Sequence, residues 1–399
     1  MSVLAGKRVV LGVTGGIAAY KAVDVCRRLV DAGAHVAPVL TKGSLHFIGK
    51  TTFDALASET TQMSLWTEES PIPHTRLGQT ADLIIVCPAT ARLLSDYRTG
   101  RSADLLTATL IATRAPVVVA PAMHTEMWEH PAVQDNIAVL VERGVHIVPP
   151  EEGRLAGGDI GKGRLAQPAT VVDYAESVLR GHGRDAAGLH VVVSAGGTRE
   201  PIDPVRFLGN RSTGKQGLAI ARAALTRGAA VTVVATVPVD LPGATVVPVA
   251  TAAEMHDAVL AAATDADIVV MAAAVADFRP ATVGDQKLKK RDGTPDIALE
   301  PTADILAALG QIKPSDQVLV GFAAETTDLR ANAAAKLQAK NADLIVANDV
   351  AGAKTGFGHD TNAVVILGAD GSDESVSLTS KREVADAVLS AAVRRVPPA

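Results

Sequence analysis

Residues 10–21 read VLGVTGGIAAYK, a short apolar run that meets two glycines and then a helical pattern. Residues 191–203, VVVSAGGTREPID, repeat this arrangement halfway along the chain. Glycines after a strand let backbone N–H groups approach a phosphate, and the next helix adds a favourable dipole. The same tight turn also needs glycine for purely steric reasons. Each segment therefore predicts a strand followed by a helix, and leaves phosphate binding as one of two interpretations.

The alternation of apolar runs with helical patterns continues outward from both segments. In the first half it predicts strands at 8–13, 36–40, 83–87, 117–120 and 145–148. It restarts at 190–194 and ends in a final strand–helix pair. Such alternation is typical of βαβ units. We predict an α/β protein with two doubly wound, Rossmann-like domains and mainly parallel sheets.

Length and composition agree with two domains. The chain has 399 residues, too many for one ordinary core. A polar, glycine-rich joint at 180–185 places the boundary near 183–188, between domains 1–183 and 188–399. A net charge of −5 gives no reason to expect a nucleic-acid or membrane partner. Since no long apolar stretch or signal-peptide pattern is present, we expect a cytoplasmic protein. Two cysteines exclude a disulfide framework.

The ends of the second strands argue against NAD. A dinucleotide site needs an acidic residue there to hold the ribose, but these strands end at Thr41 and Thr236. Flavin mononucleotide and a nucleoside triphosphate remain compatible with the glycine turns.

Longer motifs carry a family resemblance. In the first half, VTGGIAAYK, PHTRL, CPATARLLSDYRTGRSADLL, PAMHTEMW and LAGGDIGKGRL together resemble the homo-oligomeric flavin-containing cysteine decarboxylases. In the second half, SAGGTREPIDPVRFLGNRSTGKQG, AAAVADFRP, KLKK and GFAAET resemble phosphopantothenate–cysteine ligases. The resemblance covers nearly the whole chain. It implies the bacterial bifunctional family of coenzyme A biosynthesis, with a flavodoxin-like N-terminal flavoprotein and a C-terminal nucleotide-binding ligase.

For the first domain the resemblance implies FMN and the conversion of 4'-phosphopantothenoylcysteine to 4'-phosphopantetheine. Oxidation gives a thioaldehyde, CO₂ leaves to give an enethiol, and the hydride then returns. His74 matches the active-site base, and an imidazole suits that task near neutral pH. The residues implied around FMN are Gly15, Gly16, Thr41, Pro88, Ala89, Thr90, Ala122 and Met123.

Two positions depart from the family motifs. His124 replaces the asparagine that holds the substrate carboxylate, and we expect its ring to donate to that carboxylate. Gly157 replaces the cysteine of the flap, the family's proton donor in the reductive step. Cys87 is either a substitute for that thiol or a buried core residue. Because His74 is retained, and Arg164 and the flap glycines can still close over the substrate, we predict the complete reaction.

The segment APAMHTEMWEHP (120–131) suggests a metal site at first. On a helix, however, His124, Glu126, Glu129 and His130 point in different directions, unlike the i, i+4 pair of a helical zinc site. We interpret the segment as a strand end that delivers Met123 and His124, followed by a helix whose acidic residues favour its N-terminus.

For the second domain the resemblance implies an amide-forming ligase that joins 4'-phosphopantothenate to L-cysteine through an acyl-cytidylate made from CTP. Asn210 and Arg206 match the residues that hold this intermediate. Lys336 and Lys340 share one helix face and could reach adjacent phosphates, although such a pair is otherwise a solvated surface. The nucleotide-binding residues implied are Ala272, Ala273, Ala274, Asp277, Lys287, Ala303, Asp304, Ile305, Leu306, Phe322, Lys336 and Lys340.

A basic cluster, Lys287, Lys289, Lys290 and Arg291, lies within the long irregular segment 277–301. Loops of this length are usually functional, and Lys287 could neutralise charge that develops during transfer. Mg²⁺ is expected with the triphosphate, held mainly by phosphate oxygens. The resemblance also implies a homo-oligomer, with trimeric flavin domains and dimeric ligase domains combined in a dodecamer.

Three alternatives remain open. A flavin-binding regulatory subunit with an inactive decarboxylase half would explain the changes at 124 and 157. A flavin prenyltransferase shares the first fold but lacks a ligase half. An NAD dehydrogenase is disfavoured by the missing acidic residues.

Overall fold

The computed structural model describes residues 2–66, 71–287, 296–325, 328–349 and 358–397. The chain forms two compact units, Met1–Gly183 and Arg184–Ala399. Lys289, Lys290 and Arg291 of the predicted basic cluster lie outside the described residues.

The first unit contains a parallel sheet in the order β2-β1-β3-β4-β5 and a separate antiparallel hairpin, β6–β7. Its strands are β1 (Arg8–Val13), β2 (His35–Leu40), β3 (Leu83–Ala89), β4 (Val117–Pro121), β5 (His146–Ile147), β6 (Glu151–Arg154) and β7 (Ile160–Arg164). Its helices are α1 (Ala19–Asp31), α2 (Lys50–Asp54), α3 (Pro73–Thr80), α4 (Ala91–Arg98), α5 (Leu105–Ala112), α6 (Thr125–Glu129), α7 (Pro131–Glu142) and α8 (Pro168–Leu179), with a 3-10 turn at Lys42–His46.

The strands of this sheet are apolar because both faces are covered. Val9 and Leu11 pack into the core beneath α1 and α8, whereas Val10 belongs to the core on the opposite face. Side chains of a strand alternate between faces, so a continuous apolar run supplies both cores.

The second unit contains an eight-stranded sheet in the order β12-β11-β8-β13-β16-β17-β18-β19. Its strands are β8 (His190–Ala195), β9 (Arg199–Pro201), β10 (Phe207–Gly209), β11 (Ala230–Ala235), β12 (Ala244–Pro248), β13 (Ile268–Met271), β14 (Phe278–Pro280), β15 (Leu299–Pro301), β16 (Val318–Glu325), β17 (Leu344–Asp349), β18 (Thr361–Gly368) and β19 (Asp373–Ser380). Its helices are α9 (Lys215–Thr226), α10 (Ala252–Ala263), α11 (Ile305–Ile312), α12 (Leu329–Ala339) and α13 (Lys381–Val393).

The predicted α/β class with mainly parallel sheets is confirmed. The predicted final strand–helix pair was wrong in one respect, because two antiparallel strands, β18 and β19, precede α13. The ends of the segment predicted as irregular, 277–301, pair as the antiparallel strands β14 and β15. In the part of the chain that the structure describes, no helix is both long and apolar enough to cross a membrane.

Candidate functional site

The first candidate site is the switch point of the five-stranded sheet, where β1 and β3 are neighbours although β2 lies between them in the chain. In sheets of this order, ligands bind outside the carboxyl ends of those two strands. The Thr14 hydroxyl donates to the carbonyl of Pro88 at 2.7 Å and accepts from the Thr90 amide at 3.1 Å. The two strand ends are therefore fixed to each other where a ligand is expected.

Gly15 and Gly16 form a backbone cradle between β1 and α1. A Cβ on Gly15 would lie 2.6 Å from the carbonyl carbon of Gly43, so no side chain fits there. A Cβ on Gly16 would meet nothing within 4 Å, which leaves open space above the cradle. The N-cap residue of α1 is Ala18, whose side chain cannot accept hydrogen bonds from the first helical amides. Such a helix start suits an anion, and these residues fit the phosphate of FMN.

The remaining residues expected around a flavin lie along the same edge of the sheet. The Thr41 amide donates to the Val13 carbonyl at 3.1 Å, and the Ala122 amide donates to the Ala89 carbonyl at 3.0 Å. The strand ends thus gather the predicted residues Gly15, Gly16, Thr41, Pro88, Ala89, Thr90, Ala122 and Met123. Their contacts with a flavin stay predictions.

His74 lies in the first turn of α3, which precedes β3. Because a crossover helix runs antiparallel to the strand that follows it, this turn lies toward the carboxyl edge of the sheet. Within the described residues, the Nδ1 atom of His74 is buried and has no hydrogen-bond partner. A buried polar atom without a partner is uncommon, and a bound ligand would supply one.

The hairpin β6–β7 lies against the segment that follows β4. The Met123 amide donates to the Gly163 carbonyl at 3.0 Å. A Cβ on Gly163 would overlap the Met123 carbonyl oxygen, and a Cβ on Gly161 would overlap the Thr125 hydroxyl. These two glycines therefore permit the close approach of the hairpin.

His124 contacts two carboxylates. Its Nδ1 atom pairs with Glu126, and its Nε2 atom lies 3.2 Å from Oδ2 of Asp159 near the hairpin tip. The hydrogen bond to Glu126, and then the one to Asp159, raise the pKa of His124. The structure thus places carboxylates of the protein itself on the ring that we expected to bind the substrate carboxylate. His130 accepts from the Ala132 amide at 3.2 Å and caps α7.

Two cations meet beside α1, and only Arg164 was expected from the sequence. Lys21 donates to the Leu165 carbonyl at 3.1 Å. Burial, followed by the charge of Arg164, lowers the pKa of Lys21. The charge of Glu151 acts in the opposite direction on this pKa, and a bound anion would add to its effect. Lys21 ends the motif VTGGIAAYK, so its place in that motif was the available signal.

The second candidate site lies at the carboxyl edge of the eight-stranded sheet, where the order reverses between β8 and β13. The Ala274 amide donates to the Gly196 carbonyl at 2.8 Å, which joins the loops that follow these strands. The Asn210 side-chain amide donates to the Val275 carbonyl at 3.1 Å. A cleft of about 510 Å³ opens here. The predicted residues that line it are Asn210, Ala272, Ala273, Ala274, Asp277, Ala303, Asp304, Ile305, Leu306, Phe322, Lys336 and Lys340.

Lys336 and Lys340 form one cationic group in the lining of the cleft. Lys336 donates to the Phe322 carbonyl at 2.8 Å, and Lys340 pairs with Asp304, the N-cap of α11. Partial burial acts to raise the pKa of Asp304, but hydrogen bonds from Lys340 and the Ala307 amide, with the lysine charges, outweigh it and lower that pKa. Both ammonium groups are held in place beside the cleft.

A second cationic group in the lining of the cleft, Lys215 and Lys381, was not predicted. Lys215 pairs with Asp360 at 2.6 Å, and Lys381 is buried at the wall of the same cleft. Burial, and then the charge of Lys215, lower the pKa of Lys381. The missed lining residues with polar side chains are Ser212, Lys215, Gln216, Thr302, Asn348, Asn362 and Lys381. The first three lie in the quoted motif NRSTGKQG, whereas Asn362 and Lys381 lie outside every motif.

Arg206 and Lys287 are not among the residues that line the cleft. The Nε atom of Arg206 donates to Asp203 at 2.9 Å, and Lys287 is exposed at the edge of the described segment. Among the described residues, no three His, Cys, Asp or Glu side chains cluster closely enough to hold a metal ion.

Comparison with known proteins gives matches over both units. Residues 2–180 match the family model described as Flavoprotein, and residues 186–395 match that described as DNA/pantothenate metabolism flavoprotein C-terminal domain. The coenzyme A biosynthesis bifunctional proteins CoaBC of Mycobacterium tuberculosis and Bacillus subtilis are each 46% identical, over 97% of this chain and 96% of theirs. The crystal structure of the C-terminal domain of such a protein is 39% identical, over 53% of this chain and 97% of that one, with a TM-score of 0.46.

Proposed function

The chain belongs to the family of coenzyme A biosynthesis bifunctional proteins, and we propose that it makes 4'-phosphopantetheine from 4'-phosphopantothenate, CTP and L-cysteine. The second unit forms the amide bond and the first unit removes the carboxyl group. The observation that carries this proposal is the cleft of the second unit, which is lined by two pairs of lysines and by most of the residues expected for a nucleotide.

In the ligase reaction, the two cationic groups bind different anionic substrates. The CTP triphosphate lies at Lys336 and Lys340, and the phosphate of phosphopantothenate lies at Lys215 and Lys381. A carboxylate oxygen of phosphopantothenate attacks the α-phosphorus of CTP, and pyrophosphate leaves. The amine of cysteine then attacks the acyl carbon, loses a proton and releases CMP.

Three further residues complete the proposed ligase site. Asn210 and Arg206 hold the acyl-cytidylate, and Lys287 neutralises the charge that develops on the α-phosphate. For this, Arg206 has to exchange its contact with Asp203 for one with the intermediate. Mg²⁺ accompanies the triphosphate, bound mainly through phosphate oxygens.

In the decarboxylase reaction, FMN bound at Gly15 and Gly16 supplies a two-electron oxidation and its reversal. His74 takes the thiol proton as the thiol-bearing carbon is oxidised to a thioaldehyde. His124 binds the carboxylate, and Arg164 closes over the substrate. Loss of CO₂ leaves an electron pair that the thioaldehyde accepts, and the resulting enethiol is then reduced to the thiol.

Assembly is part of the proposal. Like the family it resembles, the chain forms trimers through its flavin unit and dimers through its ligase unit, combined in a dodecamer.

Mass spectrometry of the products tests both reactions at once. With phosphopantothenate, CTP and cysteine, the purified protein is expected to give 4'-phosphopantetheine, pyrophosphate and CMP. Without CTP it should give no amide product. A final product two hydrogens short of phosphopantetheine would show that the reductive step fails. Phosphopantothenoylcysteine as the final product would instead favour the alternative, a first unit that binds flavin without catalysing decarboxylation.

A further inference from the structure

The ring of His124 is engaged by two exposed acidic side chains. The side chains of Glu126 and Asp159 are 80% and 69% exposed, and that of His124 is 38% exposed. Glu126 lies in α6, which begins directly after the histidine, whereas Asp159 reaches the ring from the hairpin β6–β7. Exposed pairs of this kind contribute little and exchange easily.

Residue 157 adds no side chain beside the Nε2 atom. A Cβ on Gly157 would lie 3.6 Å from that atom and 3.1 Å from Oδ2 of Asp159. Because residue 157 is glycine, the tip of the hairpin places no side chain in this space. A group that displaces Asp159 from this nitrogen therefore meets no side chain of residue 157.

The hairpin is fastened to the unit independently of Asp159. Its strand β7 is held by the hydrogen bond from the Met123 amide to the Gly163 carbonyl. At the other end, Glu151 accepts from the Gln167 amide at 2.9 Å. Asp159 can thus move away from His124 while the body of the hairpin stays in place.

We propose that Asp159 is a positioning residue, a carboxylate that occupies the Nε2 atom of His124 in the free protein and yields it to the carboxylate of the substrate. This inference rests on the proposed decarboxylase function. The histidine keeps one carboxylate on Nε2 in both states, so its charge and orientation are set before the substrate arrives. When CO₂ leaves, the substrate loses the carboxylate that held Nε2, and Asp159 returns to the ring.

Steady-state kinetics of Asp159→Asn tests the exchange. Removal of the competing charge should lower KM for phosphopantothenoylcysteine about two- to fivefold, the range of an exposed ion pair. Product inhibition by 4'-phosphopantetheine, which lacks the carboxylate, should not change. Glu152→Gln is the matched control, because it removes the same charge from an exposed position on the same hairpin, and neither constant should move. An unchanged or higher KM in Asp159→Asn would overturn the proposal.

NMR titration of the His124 ring provides a readout that does not need turnover. Among the described residues, Glu126 and Asp159 are the charged groups that act on this ring. Removing a carboxylate that stabilises the charged form should shift the midpoint of Asp159→Asn to lower pH than in the wild type, with Glu152→Gln unchanged. The same midpoint in wild type and Asp159→Asn would show that the contact is absent in solution and would also overturn the proposal. Failure of the wild type to form phosphopantetheine would instead count against the proposed function.

Discussion

At the scale of single residues, burial determines what Cys87 can do. The residue is fully buried, and burial raises the pKa of its thiol to about 12. A thiol in this environment stays protonated near neutral pH and is closed to reagents. Of the two interpretations that the sequence left open, the structure favours a core residue over a substitute for the missing flap thiol.

Cys87→Ala should therefore keep the complete decarboxylase reaction, with kcat within about twofold of the wild type. The change removes one buried sulfur, so we expect a loss of about 1–2 kcal/mol in the free energy of unfolding. Product analysis by mass spectrometry and thermal unfolding measure the two effects. If Cys87→Ala gave a final product two hydrogens short of phosphopantetheine, the Cys87 thiol would be needed for the reductive step.

Residues of the candidate sites could be predicted where they lie within a recognisable motif. Lys336 and Lys340 lie at the cleft as the resemblance implied, because their spacing on one helix face is a local property. Lys381 could not be found in this way, since it comes from α13 and reaches the cleft only through the order of the strands. Likewise, the pairing of His124 with Asp159 joins residues whose contact depends on how the hairpin docks.

At the scale of elements, the glycines of β7 control the docking of the hairpin. Gly163 has φ of +136°, and a Cβ there would overlap a backbone carbonyl that cannot turn aside. Gly163→Ala should shift the hairpin and lower kcat/KM of the decarboxylase by about a hundredfold, the effect of a misplacement near 1 Å. The ligase reaction of the same protein should be unaffected. Both rates are measured by product formation from separate substrates.

Gly158→Ala is the control that separates backbone strain from the steric overlap expected in Gly163→Ala. Gly158 also has positive φ, at +98°, but a Cβ there would meet nothing within 4 Å. This variant carries the cost of the left-handed conformation alone, and its decarboxylase rate should stay within about threefold of the wild type. Equal losses in the two variants would mean that strain rather than docking explains the effect.

The strands buried on both faces could be predicted because such burial makes them continuously apolar. The strand β19 is eight residues long but mostly exposed and polar, and its pairing with β18 was missed. The hairpins β6–β7, β9–β10 and β14–β15 could not be predicted either. Their residues are mostly exposed or glycine, so no alternation of apolar and polar residues marks them. Each of these short strands is recognised only by its pairing with the other strand of its hairpin.

At the scale of the whole molecule, the second unit exposes apolar side chains on two of these hairpins. Phe207 is 55% exposed on β10, and Phe278 and Leu299 are each 51% exposed on β14 and β15. Because β9 and β14 are in contact, these side chains lie in one region. Exposed apolar clusters commonly mark protein interfaces, which supports the proposed ligase dimer.

Phe207→Asp should break this dimer, because burying an unpaired carboxylate opposes association. Light scattering of the eluting protein should show the mass falling from the full assembly to that of a trimer. Leu378→Asp is the control, since Leu378 is 49% exposed on β19, away from the two hairpins in the chain. A Phe207→Asp protein with the mass of the wild type would place the dimer contact elsewhere.

The separate cores have a genetic consequence. Each hydrophobic cluster in the described part of the chain belongs to one unit, with none shared between them. A substitution that unfolds or inactivates one half should thus leave the other half folded. Two defective alleles, one altered in each half, should together restore growth to a cell that depends on this gene. Two alleles damaged in the same half should fail to complement each other.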